Sequence, residues 1–238
     1  MESVDNFAFT GAEVPVGRQD ICTAVDPLGW RLVLGTLITH VPVDSLIAAV
    51  RVAESAVNAA DADATGHLSV DLCDDRVVLR LQDRATRTIT ESDLRLAGRI
   101  TGALSEAGWV TVAGDAAVPP QTMEIAIDAL DIASVRPFWR AITGYVDLPD
   151  ATYLPPGALV DPLGRGPTIW FQQMDSPRPQ RNRIHLDVDV PPEQAGARIT
   201  AALAARGRLV SDAAAPAFWV LADAEGNEAC ICTWQGRD

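Results

Sequence analysis

Three histidines, His40, His67 and His185, are the side chains of this chain best suited to exchange protons near neutral pH. Its thiols are Cys22, Cys73, Cys230 and Cys232. His185 lies in the alternating run Arg183-Ile-His-Leu-Asp-Val-Asp189. Glu228, Cys230 and Cys232 stand two residues apart in the last apolar run, which puts all three on one face of a strand. Imidazole, carboxylate and thiol in such runs can hydrogen-bond a ligand or coordinate an ion. Each also has a plainer role, His185 as a hydrogen-bonded pocket residue and Cys230 as a buried thiol. His67 begins a strand, where a lone histidine is commonly structural, and His40 carries no motif.

Composition narrows the chemistry. The 238 residues hold 32 acidic and 19 basic side chains, a net charge of −13, and every basic residue is Arg. Such a chain repels phosphate backbones and anionic membrane surfaces, and no basic run interrupts the pattern, so neither nucleic acid nor membrane is an expected partner. Met1-Glu-Ser-Val-Asp-Asn6 lacks the charged and apolar regions of a signal peptide. No apolar run approaches the roughly 20 residues that span a bilayer. The cysteine spacing fits neither a disulfide framework nor paired CxxC zinc ligands, and reduced thiols in the cytoplasm are expected.

The elements that must position these groups fall into two halves. Little periodicity marks residues 1–25, an extended arm or short helix. Trp30 to Thr39 reads as one strand between Asp26-Pro27 and Pro42. A helix follows, capped by Asp44 or Ser45, with Leu46, Ile47, Val50, Ala53, Ala56 and Val57 as its apolar face. His67–Cys73 and Arg76–Gln82 form a hairpin around Asp74-Asp75. Thr90-Glu-Ser-Asp93 caps a second helix that buries Leu94, Ala97, Ile100, Ala103 and Leu104 and stops at Gly108. Residues 1–112 thus make one domain, 113–121 a linker rich in turn formers, and 122–238 a second domain.

That second domain repeats itself. A strand at Glu124–Asp128 and a helix at Ile132–Thr143 precede strands near Ala158–Val160 and Thr168–Met174. Then Arg183–Asp189, a helix over Pro192–Arg206 and strands near 208–210, 218–221 and 228–234 restate the plan. Two βαβββ units each leave an uncovered sheet face, and joining them into one curved sheet buries it. The fold class is α+β, with an antiparallel sheet and helices on one face in the first half and tandem βαβββ units in the second.

Ile125-Ala-Ile-Asp-Ala-Leu-Asp131, Val135-Arg-Pro-Phe-Trp139, Gly144-Tyr145, Arg183-Ile-His-Leu-Asp187 and Leu221-Ala-Asp-Ala-Glu-Gly-Asn-Glu228 carry a resemblance to the vicinal-oxygen-chelate superfamily of glyoxalases and bleomycin-resistance proteins, across essentially the whole second half. Metal-dependent members of that superfamily take ligands from the first and last strands of each repeat. By position these are Glu124, Gln172, His185 and Cys230. A neutral Gln and a Cys in place of a carboxylate argue against an oxygen-rich centre, so no metal is expected; were one bound, Glu124 and His185 would hold it. Metal-free members use the cup for apolar or aromatic compounds, which implies a pocket of His185, Glu124, Trp170, Cys230 and Glu228. Trp170 and Phe171 alternate on one strand, so only one of them faces the cup.

The first half resembles pterin-4a-carbinolamine dehydratase, from Gly29-Trp30 through Val52-Ala-Glu-Ser-Ala-Val-Asn58 to Thr90-Glu-Ser-Asp-Leu-Arg-Leu-Ala97. That family works through histidines. Here its Asn-His-His-Pro stretch corresponds to Asn58-Ala59-Ala60-Asp61, and its third histidine to Arg84, which exchanges no proton near pH 7. The resemblance leaves Asp93, Asp61 and His67 as catalytic candidates. The expected protein binds a small aromatic, heterocyclic or pterin-like ligand, and both resemblances imply a homo-oligomer. The alternative is an enzyme, a lyase of the 4a-hydroxytetrahydrobiopterin dehydratase or glyoxalase type, or a metal-dependent dioxygenase.

Overall fold

A computed structural model describes residues 16–114, 120–147, 155–177 and 184–236. Residues 1–15, the middle of the expected linker and Arg183 lie outside that set. The chain divides into two compact units that meet in sequence at Thr122 and Met123, and none of the described helices is long and apolar enough to cross a membrane.

In the first unit, helix α1 (Arg18–Val25) precedes β1 (Arg31–Val33) and β2 (Thr36–Pro42). The single strand expected over Trp30–Thr39 is therefore two. Leu34 and Gly35 both take positive φ (45° and 70°), and the chain reverses so that Val33 pairs with Thr36. A two-residue turn of this hand matches the twist of the strands it joins, and glycine removes part of its strain. Strands β3 (Leu68–Leu72) and β4 (Arg76–Leu81) follow helix α2 (Leu46–Ala60), and the sheet order is β1-β2-β4-β3, all antiparallel. Val112 adds an isolated bridge to His40.

Ser45 caps α2 by accepting from the amide of Ala48 at 3.3 Å. The face that α2 buries is not the one its larger apolar residues suggest. Ala48, Ala49, Val52, Ala56 and Ala60 are buried, while Leu46, Ile47, Val50 and Val57 are 54, 70, 51 and 46% exposed. Small side chains let the helix sit close to the sheet and to α3 (Glu91–Glu106), so tertiary fit overrides side-chain size. In α3, Leu96, Ala97, Ile100 and Leu104 are buried, and Thr90 with Asp93 closes a reciprocal capping box.

The second unit contains β5 (Glu124–Ala129), α4 (Ile132–Thr143), β6 (Val146–Asp147), β7 (Leu159–Val160) and β8 (Thr168–Gln173). It continues with β9 (Leu186–Asp189), α5 (Pro192–Ala204), β10 (Arg208–Ser211), β11 (Phe218–Ala222) and β12 (Glu228–Cys232). Both repeats use the same sheet order, β5-β8-β7-β6 and β10-β11-β12-β9, with the first and last strand of each repeat paired in parallel. Among the described residues no strand hydrogen bonds join the two sheets, so the single continuous sheet expected from the repeat is two four-stranded sheets. A shared core does the joining. Ile127, Phe138, Trp139, Ile169 and Phe171 of the first repeat and Ala202, Leu221, Ala229 and Ile231 of the second belong to one buried cluster.

A second tie fixes the last hairpin. Asp223 is fully buried, and its Oδ1 accepts from the amides of Glu225 and Asn227, its Oδ2 from Trp139 Nε1 and Asn227 Nδ2, all within 2.8–3.0 Å. The Glu225 carboxylate accepts from the amides of Leu130 and Asp131 at the start of α4. Gly226, at φ 94°, completes the turn into β12.

Candidate functional site

Alternation along the strands of the second unit separates core from open face. Ile127, Ile169 and Phe171 enter the core, so Trp170, paired with Ala126, stands on the opposite face and is half-buried. In the second repeat Leu186, Val188, Ala229 and Ile231 face the core. The open face of β9 and β12 therefore carries Asp187 opposite Cys230 and Asp189 opposite Cys232, with Phe218 beside Cys232 on β11. His185 immediately precedes β9.

These residues converge. A ring nitrogen of His185, a carboxylate oxygen of Asp187 and the Cys230 sulfur lie within 4.8 Å of one another. His185 Nε2 is 3.2 Å from Asp187 Oδ1, and the two side chains are 54 and 55% exposed, whereas Cys230 is buried. An open cavity of about 600 Å³ sits over them, lined also by Ala214, Ala217 and Phe218. Burial raises the Cys230 thiol to about 12, reinforced by its hydrogen bond to Asp187 and by the neighbouring acidic charges. The thiol is protonated at neutral pH and donates to Asp187.

The other positions singled out by sequence are dispersed. Glu124 is exposed and pairs with Thr168, and Gln172 is exposed opposite Asp128. Among the described residues only His185, Asp187 and Cys230 form a cluster of three metal-ligating side chains, and Glu124 is outside it. Glu228 is half-buried at the start of β12. Asp187 was not singled out by the sequence. Its signal was there, two residues after His185 in an alternating run, but a parallel partner strand is needed to bring Cys230 beside it.

In the first unit, Asp93 is fully buried. Its Oδ2 accepts from the amide and hydroxyl of Thr90, and its Oδ1 lies 2.9 Å from His67 Nδ1. Asp61 is exposed at the C-terminal end of α2 with φ 52°. Arg84 donates from its amide to the Gly66 carbonyl and from its guanidinium to the carbonyl of Leu68 at the start of β3. His40 is buried, its backbone bridged to Val112.

Residues 124–232 match the family model described as a glyoxalase-like domain. The second unit carries a glyoxalase-like domain. No curated protein matches the chain. Solved structures that resemble the glyoxalase-like domain include a glyoxalase/bleomycin resistance protein/dioxygenase family enzyme from Burkholderia phytofirmans PsJN. It is 18% identical over 46% of this chain and 95% of its own, with a TM-score of 0.35. A glyoxalase/dioxygenase from Nostoc punctiforme is 16% identical over 50% and 97%, with a TM-score of 0.38. The fosfomycin resistance protein FosX from Listeria monocytogenes, complexed with Mn(II) and sulfate, is 11% identical over 49% and 91%, also at 0.38.

Proteins with glyoxalase-like domains are often metal-dependent enzymes, and the donor set can be tested against such an ion. Nitrogen, carboxylate oxygen and sulfur within 4.8 Å fit a borderline divalent ion and suit a hard, oxygen-seeking one poorly. A cation bound here would be held by His185, Asp187 and Cys230 and would supply a Lewis-acidic centre at the cavity floor.

Proposed function

We propose that the second unit binds a small aromatic or heterocyclic molecule bearing one polar group, seated over the open face of β9 and β12. The observation that carries this reading is the convergence of His185, Asp187 and Cys230 beside the 37% exposed Phe218 in one open cavity. Ligand sites typically pair an apolar wall with a few convergent polar groups. Here Phe218, Ala214 and Ala217 provide the wall for the ring, and His185 with Asp187 provides hydrogen-bonding partners for the polar end. Trp170 and Glu124 lie on the first-repeat sheet outside the core and are not among the residues that line this cavity.

Equilibrium dialysis of the full chain in EDTA against aromatic and heterocyclic carboxylates and phenols tests the reading. Saturable binding of about one equivalent is expected, weakened roughly tenfold by Phe218→Ala, the cost of losing one good apolar contact. Failure of every compound to bind would overturn it.

A second reading, proton-transfer chemistry in the first unit, is favoured by the His67–Asp93 pair. Asp93 Oδ1 lies 2.9 Å from His67 Nδ1, a contact that orients the ring and leaves its Nε2 edge turned away from the carboxylate. That is the arrangement a carbinolamine-dehydrating acid or base needs, although Ala59 and Ala60 offer no second titratable partner. Turnover of a 4a-carbinolamine pterin, lost about a hundredfold in His67→Ala, is the expected result on this reading. A wild-type rate equal to the uncatalysed one rejects it.

A further inference from the structure

We infer that the ligand of this cavity is an organic cation, a protonated aromatic or heteroaromatic amine whose N–H groups donate to Asp187 while its ring lies along Phe218. The inference rests on the reading of that cavity as the ligand site and adds the charge of what it holds. Among the described residues that line the cavity, Asp187 is the only carboxylate, and no arginine stands beside it. Elsewhere in the second unit, Arg136 and Arg140 are tied to Asp147, Arg198 to the Ile142 carbonyl and Arg206 to Ser134. An ionised carboxylate offers about four acceptor positions and no donor. Two are met, by His185 Nε2 at 3.2 Å and by the Cys230 thiol, and neither partner is a fixed cation. The Asp187 side chain is 55% exposed, which leaves its remaining positions open to a ligand.

Three features set the sign of the ligand's charge. An anion needs donors, and the lining side chains offer only an imidazole and two thiols, of which the Cys230 thiol is already given to Asp187. Phe218 pairs with Cys232 across β11 and β12 and is 37% exposed, and the face of an aromatic ring attracts ammonium and repels carboxylate. The local field has the same sense: after burial, the neighbours that raise the Cys230 thiol are Asp187, Cys232 and Glu228. An ammonium therefore adds an ion pair and a ring contact to the hydrogen bond that a hydroxyl of the same shape makes alone. Water screens the half-exposed Asp187, so the preference for the cation is about five- to tenfold and not a hundredfold.

The test is calorimetric titration of the reduced full chain, in EDTA to keep metal ions from Asp187, with two series of matched compounds. One comprises indole-3-ethylamine, indole-3-ethanol and indole-3-acetate; the other comprises the corresponding phenyl compounds. The amine is expected to bind about five- to tenfold more tightly than the alcohol, and the carboxylate more weakly than either. Raising salt from about 0.02 to about 0.5 M erodes the amine's advantage and leaves the alcohol unchanged. Asp187→Asn brings amine and alcohol to equal affinity. Equal wild-type affinity for amine and alcohol, tightest binding of the carboxylate, or a preference that survives Asp187→Asn overturns the inference and leaves the cavity reading standing. If Asp187→Asn does not fold, a preference insensitive to salt overturns it equally. Binding by no compound of either series removes the cavity reading and this inference with it.

Discussion

Cys230 is the residue on which the site's chemistry turns. Its thiol is raised from an ordinary value near 9 to about 12, first by burial and then by Asp187, whose carboxylate accepts from the protonated form. Folding therefore favours the protonated thiol. This group costs the fold nothing below about pH 9 and destabilises it progressively as pH rises toward 12. In metal-free protein at pH 8, alkylation of Cys230 should lag far behind that of the half-buried Cys22 and Cys73. Asp187→Ala should lower the Cys230 value and speed its alkylation, yet leave it above an ordinary thiol because burial remains. Mass-spectrometric counting of modified cysteines against time checks both outcomes. Equal rates at Cys230 and Cys73 would contradict them.

At the scale of elements, helix α2 separates the apolar pattern of a sequence from the face a fold buries. Its core contacts come from Ala49, Val52 and Ala56, while Leu46, Ile47 and Val50 are turned outward. Val52→Ala should cost about 2 kcal/mol through a cavity, and Ala56→Leu about 1–3 kcal/mol through overpacking. Ile47→Ser and Val50→Ser should stay within about 0.5 kcal/mol, as surface changes do. Urea unfolding followed by circular dichroism distinguishes these, and the opposite ranking would mean that the larger residues are the buried ones. The Asp223 turn works at the same scale, since one buried carboxylate ties the β11–β12 hairpin to Trp139 of α4 and thereby aligns the two repeats.

For the whole molecule, two separate cores are the governing fact. One gathers Trp30, Leu37, Leu79 and Ile100 with the small residues of α2; the other gathers both repeats of the glyoxalase-like domain. A unit with its own core can in principle fold alone. Residues 123–238 expressed alone should therefore show the α+β circular dichroism and a single cooperative melt. An unstructured fragment would mean that the second unit depends on the first.

The sequence by itself determined the tandem βαβββ plan, a cap for α2 at Asp44 or Ser45, of which the structure uses Ser45, the Thr90 cap, the Asp74-Asp75 hairpin and the resemblance now matched over residues 124–232. Those signals are local: periodicity, capping chemistry and turn residues act within a few positions of one another. His185 and Cys230 were legible as candidates through the resemblance, which places ligand positions on the first and last strands of each repeat. Tertiary structure decided that Asp187 meets Cys230, that Glu124 stays outside their cluster, that Asp93 takes His67 as its partner, and which side of α2 is buried. Strand partners and helix faces are chosen by packing between segments far apart in the chain, and alternation along one strand carries no record of which strand will lie beside it.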